Sequence, residues 1–385
     1  MSKTIVSIIS EQTSPNYIFI KEKYQDGDKL LFISSLRFES KIDVIKSVVN
    51  YNCPVQQIIF NGEGDEENWN RMTEQITSQI ETNEKYIVNL TGGTKYMAMA
   101  VKAAFEQKPS SEFYYIPLPK NTIISPNSTE SIPLKYRMTV KEYIGLYGLT
   151  TSASKKLTQS KGTTMSMLSL FLDNYFKDNE RFSILDLLRN YRNDNIEISK
   201  IEGIEGTEKR PRIVGLKNFV TDLATVAGFV QKDQLKLSKA ETQYITGGWF
   251  EEYVYTLIQE RIKPTDIQLG LLVRRQDDTF SSNKNDLDVV FTKGNKLFVI
   301  ECKTGIPENK ISAFKEIVYK ATALKESLFK MPAKSYIFAL TIPERTEDFL
   351  KTAQYMQIDF YDQTVFTAQQ QTEKLIHSIN NFAND

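Results

Sequence analysis

Histidine is almost missing from this chain: His377 is the only one, and it falls in a helical stretch near the C-terminus. Zinc sites and catalytic triads built on imidazole are thereby nearly excluded. Cysteine is as scarce. Cys53 and Cys302 cannot make a thiolate zinc cluster, and they fit a reducing compartment. No apolar run is long enough to span a bilayer, and Met1-Ser2-Lys3-Thr4 leads straight into an expected strand without the layout of a secretory signal. A cytoplasmic protein with no membrane partner is expected. Neither sign of charge is in excess, with 48 basic and 48 acidic residues, so contact with nucleic acid must come from local patches. Also lacking are a G-x-G-x-x-G after the first strand and a Walker-type G-x-x-x-x-G-K-[ST], which disfavours dinucleotide cofactors and Walker-type ATP hydrolysis.

What is present is the composition of an ordinary globular protein, long enough at 385 residues for two domains and a connector. The first 120 residues alternate between apolar runs and helical stretches. Strands are expected at 4–10, 30–35, 57–61, 85–90 and 112–118, a βαβ series that implies a parallel sheet with helices on both faces. Ligands bind such sheets at the carboxyl ends of the strands, near the point where strand order reverses. The loops there carry Ser10-Glu11-Gln12-Thr13 after the first strand, Ser34-Ser35-Leu36-Arg37 after the second and Thr91-Gly92-Gly93-Thr94-Lys95 after the fourth. Paired glycines let a phosphate approach the backbone, a helix beginning near Thr94 offers free N–H groups, and Lys95 adds a cation. A plain strand-to-helix turn with a surface lysine would read the same way.

The densest signal lies at 285–303, where two apolar strands flank Gly294-Asn295, a pair suited to a two-residue hairpin turn. That turn sets Lys293 opposite Lys296, hence Asp288 opposite Glu301 and Asp286 opposite Lys303. Strand alternation then puts Asp286, Asp288, Val290, Val299, Glu301 and Lys303 on one face, and Leu287, Val289, Phe291, Phe298, Ile300 and Cys302 on the other. Opposed carboxylates with Cβ atoms roughly 4.5–5.5 Å apart repel each other unless a cation lies between them. Oxygen-only ligands suit magnesium or manganese better than zinc. A salt-bridge ladder on a solvated edge is the other reading; strands apolar on both faces argue against it. Upstream, Gly247-Gly248 is expected to open a helix with Phe250, Val254, Leu257 and Ile258 on its buried face. Glu251 lies on the border of that face and Glu252 points away from it, so Glu251 can reach a neighbouring site, or can be a first-turn acid favoured by the helix dipole.

The order helix-Glu, Asp, then Glu301-Cys302-Lys303 resembles the PD-(D/E)xK, or restriction-endonuclease-like, nucleases. Leu287 stands where the motif's proline would be. The resemblance implies Asp288, Glu301 and Lys303 as catalytic residues. Asp288, Glu301, the Cys302 carbonyl and Glu251 would hold Mn2+ or Mg2+, and Lys303 would assist the attacking water. The N-terminal half, with its Ser-Glu-Gln-Thr and Asn-x-Thr-Gly-Gly-Thr-Lys loops, resembles a CARF domain, the sensor of cyclic oligoadenylates in type III CRISPR defence.

Together the halves are similar to CRISPR ancillary nucleases activated by cyclic tetra-adenylate. The implied architecture is α/β throughout: a Rossmann-like CARF domain over 1–145, a helical connector over 146–240 and a restriction-endonuclease-like α/β domain over 241–385. A homodimer would bind one cyclic tetra-adenylate, its allosteric activator, across a two-fold cleft. The implied contacts are Ser10, Gln12, Thr13, Ser34, Thr91, Gly92, Gly93, Thr94 and Lys95, and the substrate is DNA, RNA or both. Two other functions stay open: an effector-independent restriction or repair nuclease, and a nucleotide-sensing regulator with an inert nuclease fold. Across the weaker stretch 118–246 a hairpin is expected within 121–134 and helices over 164–176 and 182–191. Lys209, Arg210, Arg212, Lys217, Arg274 and Arg275 are candidate phosphate contacts. A helix over 311–329 with Lys315 and Lys320 is expected beside the cleft, followed by strands at 336–340 and 358–361 with a helix between.

Overall fold

The computed structural model describes residues 2–62, 64–117, 119–152, 155–174, 189, 191–197, 216–229, 236–275, 285–305, 318, 333–340 and 347–384. Lys209, Arg210, Arg212, Lys315 and Lys320 lie outside them, as do most of the helices expected at 182–191 and 311–329.

The βαβ pattern folds as expected. Strands β1 (Thr4–Ile8), β2 (Lys29–Ser35), β3 (Val55–Phe60), β4 (Tyr86–Asn89) and β5 (Ser111–Tyr114) form one parallel sheet in the order β3-β2-β1-β4-β5. Every residue of β1 is buried, as a strand between two helical layers requires. Strand order reverses at β1, which pairs with β2 on one side and β4 on the other, so the loops after β1 and β4 lie side by side. Around the sheet run α1 (Ser14–Lys23), α2 (Glu39–Val49), α3 (Trp69–Thr77) and α4 (Lys95–Glu106). The turn-rich segment forms the hairpin β6 (Thr122–Ile124) and β7 (Ser131–Pro133), before α5 (Val140–Gly145) with its capping box of Thr139 and Glu142.

The second sheet has six strands in the order β15-β14-β13-β12-β11-β8. Here β11 (Asp266–Arg275), β12 (Asn285–Lys293) and β13 (Lys296–Lys303) form an antiparallel meander, while β14 (Lys334–Ala339) and β15 (Ile358–Tyr361) run parallel to β13. Its edge strand β8 (Leu149–Ser152) comes from the stretch read as connector and pairs with the end of β11, Thr150 opposite Arg274. The rest of that stretch contributes α6 (Lys161–Asn174) and a small pair, β9 (Ile196–Glu197) with β10 (Lys236–Leu237). Lys217 sits on the helix Leu216–Val226, and Arg274 and Arg275 are exposed at the end of β11.

Two expectations fail in instructive ways. The helix bearing Glu251 does not begin at Gly247-Gly248. A capping box of Ser238 and Glu241 starts it at Lys239, and it passes through a π turn at Tyr244–Gly248 into the helix Trp249–Arg261. Glu251 is therefore an interior acid, and the first-turn dipole reading loses its basis. Strict alternation along β12 also fails. Leu287 and Val290 pack with Leu271 and Val273, whereas Val289 and Phe291 pack with Leu269 and Trp249 on the other side. The slip occurs where Gly270, at φ 57°, and Asp288 drop out of an otherwise continuous pairing between Leu269–Val289 and Leu271–Leu287. A left-handed residue inside a strand twists it locally, and only glycine does so at little cost.

One core runs through both sheets. Tyr17, Ile45, Tyr143 and Leu146 beneath the parallel sheet share it with Leu271, Val273, Leu287, Val290 and Leu297. No helix among the described residues is long and apolar enough to cross a membrane.

Candidate functional site

The hairpin closes as its turn residues dictate. Gly294 and Asn295 both have positive φ, 59° and 57°, the signature of the tight turn that matches strand twist, and Lys293 faces Lys296. Pairing continues in that register to Val289–Ile300 and stops. One step on, where Asp288 comes level with Glu301, the ladder is replaced: Asp288 Oδ2 accepts the backbone N–H of Cys302 at 2.7 Å. The bond turns the Asp288 carboxylate into the gap between strands. Lys303 Nζ donates to Glu301 Oε1 at 2.6 Å and lies 3.7 Å from Asp288 Oδ2. Asp286 does not pair with Lys303. Its Oδ2 is 3.6 Å from Lys155 Nζ, because the slip at Asp288 takes the strand out of alternation.

Glu251 arrives from the helix behind the sheet, and Lys155 Nζ donates to its Oε2 at 3.0 Å. Lys155 was not legible in the sequence. It lies in a polar stretch, and its place depends on Gly270, where a Cβ would stand 2.4 Å from the lysine Cδ. Glu252, expected to point to solvent, is instead buried and accepts the backbone N–H groups of Thr158 and Gln159 at 2.5 and 3.1 Å. The π turn contributes as well. Thr304, just past Lys303, donates to the Thr246 carbonyl at 2.9 Å and so ties the end of β13 to the root of the helix bearing Glu251.

Electrostatics follow from this crowding. Two carboxylates about 5 Å apart repel by roughly 3 kcal/mol at an effective dielectric of 20. Burial, and then the charge of Asp288, push the Glu251 carboxyl up to about 7 despite Lys155. Burial works against the Lys303 ammonium, but Asp288 and Glu301 outweigh it and hold the group above the ordinary lysine range. A lysine so held stays protonated. With no cation on Asp288 and Glu301, it is set to donate to a water or a phosphate oxygen. The Cys302 thiol is inside the core and pushed up by burial, leaving its backbone as the part able to take part in chemistry.

Among the described residues no three acids, histidines or cysteines converge closely enough to hold an ion as they stand. Lys303 and Lys155 occupy the spaces between the acids. The donor set nevertheless fits a hard divalent cation. Asp286, Asp288, Glu251 and Glu301 outnumber the two lysines, every donor is oxygen, and Asp286 Oδ1 is enclosed without a hydrogen-bond partner among the described residues. Asp288, Glu301, Glu251 and the Cys302 carbonyl are the groups that would hold it.

At the carboxyl edge of the parallel sheet the loops after β1 and β4 are laced together. Asn89 Nδ2 donates to Asn16 Oδ1 at 2.8 Å, and Asn16 Nδ2 donates to the Ile8 carbonyl at 2.9 Å. Thr91 Oγ1 bonds to Asn89 Oδ1 and accepts the Ile116 N–H. Gly92 is required by contact, since a Cβ there would stand 1.8 Å from the Ile8 carbonyl oxygen, and Gly93 by its φ of 74°. Thr94 caps α4 through the Met97 N–H at 3.1 Å, leaving Lys95 and Tyr96 at the surface. Ser10 is half-buried and Gln12 exposed. Thr13 and Ser34 lie below the surface, bonded to the carbonyls of Leu146 and Ser35 respectively. Asn16 and Asn89, not among the expected ligand contacts, hold the cleft together.

Residues 4–143 match the family model described as the Card1 CARF domain, and residues 238–364 match the one described as the Card1-like endonuclease domain. The chain joins a CARF domain of the Card1 type to a Card1-like endonuclease domain. Its fold is that of solved relatives. Protein VC1899 from Vibrio cholerae superposes with a TM-score of 0.78 at 16% identity, covering 100% of this chain and 99% of that one. Can2 from Sulfobacillus thermosulfidooxidans, solved in complex with cyclic tetra-adenylate, gives 0.70 at 22% identity over 100% of each chain. A type III CRISPR defence DNA nuclease activated by cyclic oligoadenylate gives 0.52 at 13% identity, covering 90% of this chain and 47% of that one. No curated protein sequence matches. In this Card1-like chain one hydrophobic cluster reaches from the CARF domain into the endonuclease domain, beside clusters that keep to one domain each.

Proposed function

We propose that this Card1-like protein is a divalent-metal-dependent endonuclease of type III CRISPR defence, switched on by cyclic tetra-adenylate bound across two paired CARF domains. The observation that carries the reading is the meeting of Asp288, Glu301 and Lys303 with Glu251 in a hairpin anchored against the sensor. When bound, Mn2+ or Mg2+ would lower the pKa of a water and neutralise charge building on the phosphate. The chain's own residues do the rest. Asp288 and Glu301 supply oxygen ligands. Lys303, kept protonated, donates to the attacking water and to the developing phosphate charge, and the Cys302 N–H fixes the angle at which Asp288 faces the cleft.

On the sensor side, Gly92, Gly93 and Thr94 bring backbone N–H groups and the N-terminus of α4 to the ligand, with Lys95 as cation. Gln12 and Ser10 line the facing loop. Exposed Leu36, Tyr96 and Met99 lie on the β2 loop and α4, and pairing there would bury them and give a two-fold effector its two-fold site. The deciding experiment offers supercoiled plasmid, single-stranded DNA and RNA to purified protein with Mn2+, with and without cyclic tetra- and hexa-adenylate. Cleavage dependent on both metal and cyclic tetra-adenylate is expected. Full cleavage without effector would favour a restriction or repair nuclease, and no cleavage with every combination an inert regulator.

A further inference from the structure

The connector that leaves the sensor reaches the nuclease acids within a few residues. Thr13, in the loop after β1, donates its hydroxyl to the Leu146 carbonyl at 3.0 Å. From Leu146 the chain enters β8, pairs with β11 and arrives at Lys155, whose N–H donates to the Leu269 carbonyl at 2.7 Å. The lysine stem crosses Gly270, and its Nζ ends 3.0 Å from Glu251 Oε2 and 3.6 Å from Asp286 Oδ2. Thr158 and Gln159 then bond to the carboxylate of Glu252. Two adjacent acids of one helix thus grip two adjacent parts of the connector, while its other end is tied to the loop that faces the effector.

We propose that Lys155 is a positioning residue. It is a tethered cation that occupies the place beside Glu251 and Asp286 needed by a divalent ion, and effector binding draws it away through the connector. The inference rests on the metal-nuclease reading above. An ammonium and a metal ion drawn to the same carboxylate repel each other, so each weakens the other's hold on Glu251. A distant ligand moves such an equilibrium only by favouring one of its states, and the Thr13–Leu146 bond gives the sensor a mechanical hold on the strand that delivers Lys155. Gly270 is the seat that makes the competition possible, since any side chain there would meet the lysine stem.

The test measures Mn2+ binding to the full chain by water-proton relaxation, with and without cyclic tetra-adenylate. Without effector, Lys155→Met is expected to bind Mn2+ about tenfold more tightly than wild type, since a competing charge is gone. Effector should tighten Mn2+ binding in wild type and in Lys155→Arg, but leave Lys155→Met unmoved. Unchanged or weaker Mn2+ binding in Lys155→Met, or an effector response equal to that of wild type, overturns the role of Lys155 alone. Absence of Mn2+ binding by wild type with cyclic tetra-adenylate present, and by Lys155→Met, overturns the metal reading and this inference with it. Should Lys155→Met fail to fold, Lys155→Gln takes its place by removing the charge and keeping a polar side chain. Tighter Mn2+ binding is again expected, and wild-type affinity would overturn the proposal.

Discussion

Asn295, at the tip of the β12–β13 hairpin, accepts the backbone N–H of Met138 through Oδ1 at 2.8 Å and donates from Nδ2 to the Tyr136 carbonyl at 3.1 Å and Asn121 Oδ1 at 3.0 Å. Thr292 adds a bond to the Met138 carbonyl at 2.7 Å. The strands that carry Asp288 and Glu301 are therefore anchored at their far end to the segment leading into α5, the last helix of the sensor.

Replacing Asn295 with alanine deletes three bonds and puts a residue with no local hydrogen bonding at φ 57°. A loss of about 2–4 kcal/mol is expected in urea unfolding. If the anchor transmits the sensor's movement, effector affinity should be nearly unchanged while effector-stimulated cleavage falls by about tenfold. Equal falls in both would make the anchor purely structural.

Asp288→Asn separates charge from shape. The asparagine oxygen can still accept the Cys302 N–H, so the hairpin keeps its geometry, but one metal-binding charge is gone. Cleavage should drop at least about a hundredfold. The metal-free protein should melt no lower than wild type, because Asp288 is the main charge repelling Glu251. A large fall in melting temperature would show that Asp288 holds the strands rather than the chemistry.

The parallel sheet, the hairpin register and the Asp288, Glu301 and Lys303 grouping could be read from sequence because each rests on local patterning: alternating apolar runs, a Gly-Asn turn, acids where apolar residues belong. The parts that could not be read depend on contacts distant in sequence. Lys155 finds Glu251 only because β8, a short Leu-Thr-Thr-Ser strand without an apolar run, joins the edge of the second sheet. Glu252 looked solvated because a helical wheel cannot show that a connector crosses that face. Gly270 carried no signal of its own, and its positive φ breaks the alternation that placed Asp286 beside Lys303.

Stability of the metal-free protein should fall as pH rises between 4.5, the ordinary glutamate value, and about 7, the value to which Glu251 is pushed. In that window the folded state binds a proton that the unfolded state has released, so folding is favoured on the acid side and the advantage is lost as Glu251 ionises. Chemical unfolding across pH 4.5–7.5 with chelator present checks the slope, and Glu251→Gln should flatten it. Saturating Mn2+ should reverse its sign, because a cation bound to the ionised acid stabilises the folded state more as pH rises. A wild-type slope that Glu251→Gln leaves intact would place the responsible group elsewhere.

Lys95 and Thr13 should part company when each is replaced. Lys95 is exposed at the start of α4, beside the turn that Gly92 and Gly93 open, so Lys95→Ala should weaken cyclic tetra-adenylate binding by about tenfold with no change in melting temperature. Thr13 is buried, and its hydroxyl is committed to the Leu146 carbonyl. Thr13→Val leaves that carbonyl without its partner and should cost about 1–2 kcal/mol of stability. Its effect on effector affinity should be smaller than that of Lys95→Ala, and its effect on stimulated cleavage larger. Binding isotherms and cleavage rates measured on both variants distinguish a contact with the effector from a link to the connector. A Thr13→Val variant that loses affinity as much as Lys95→Ala, yet cleaves normally at saturating effector, would make Thr13 a ligand contact instead.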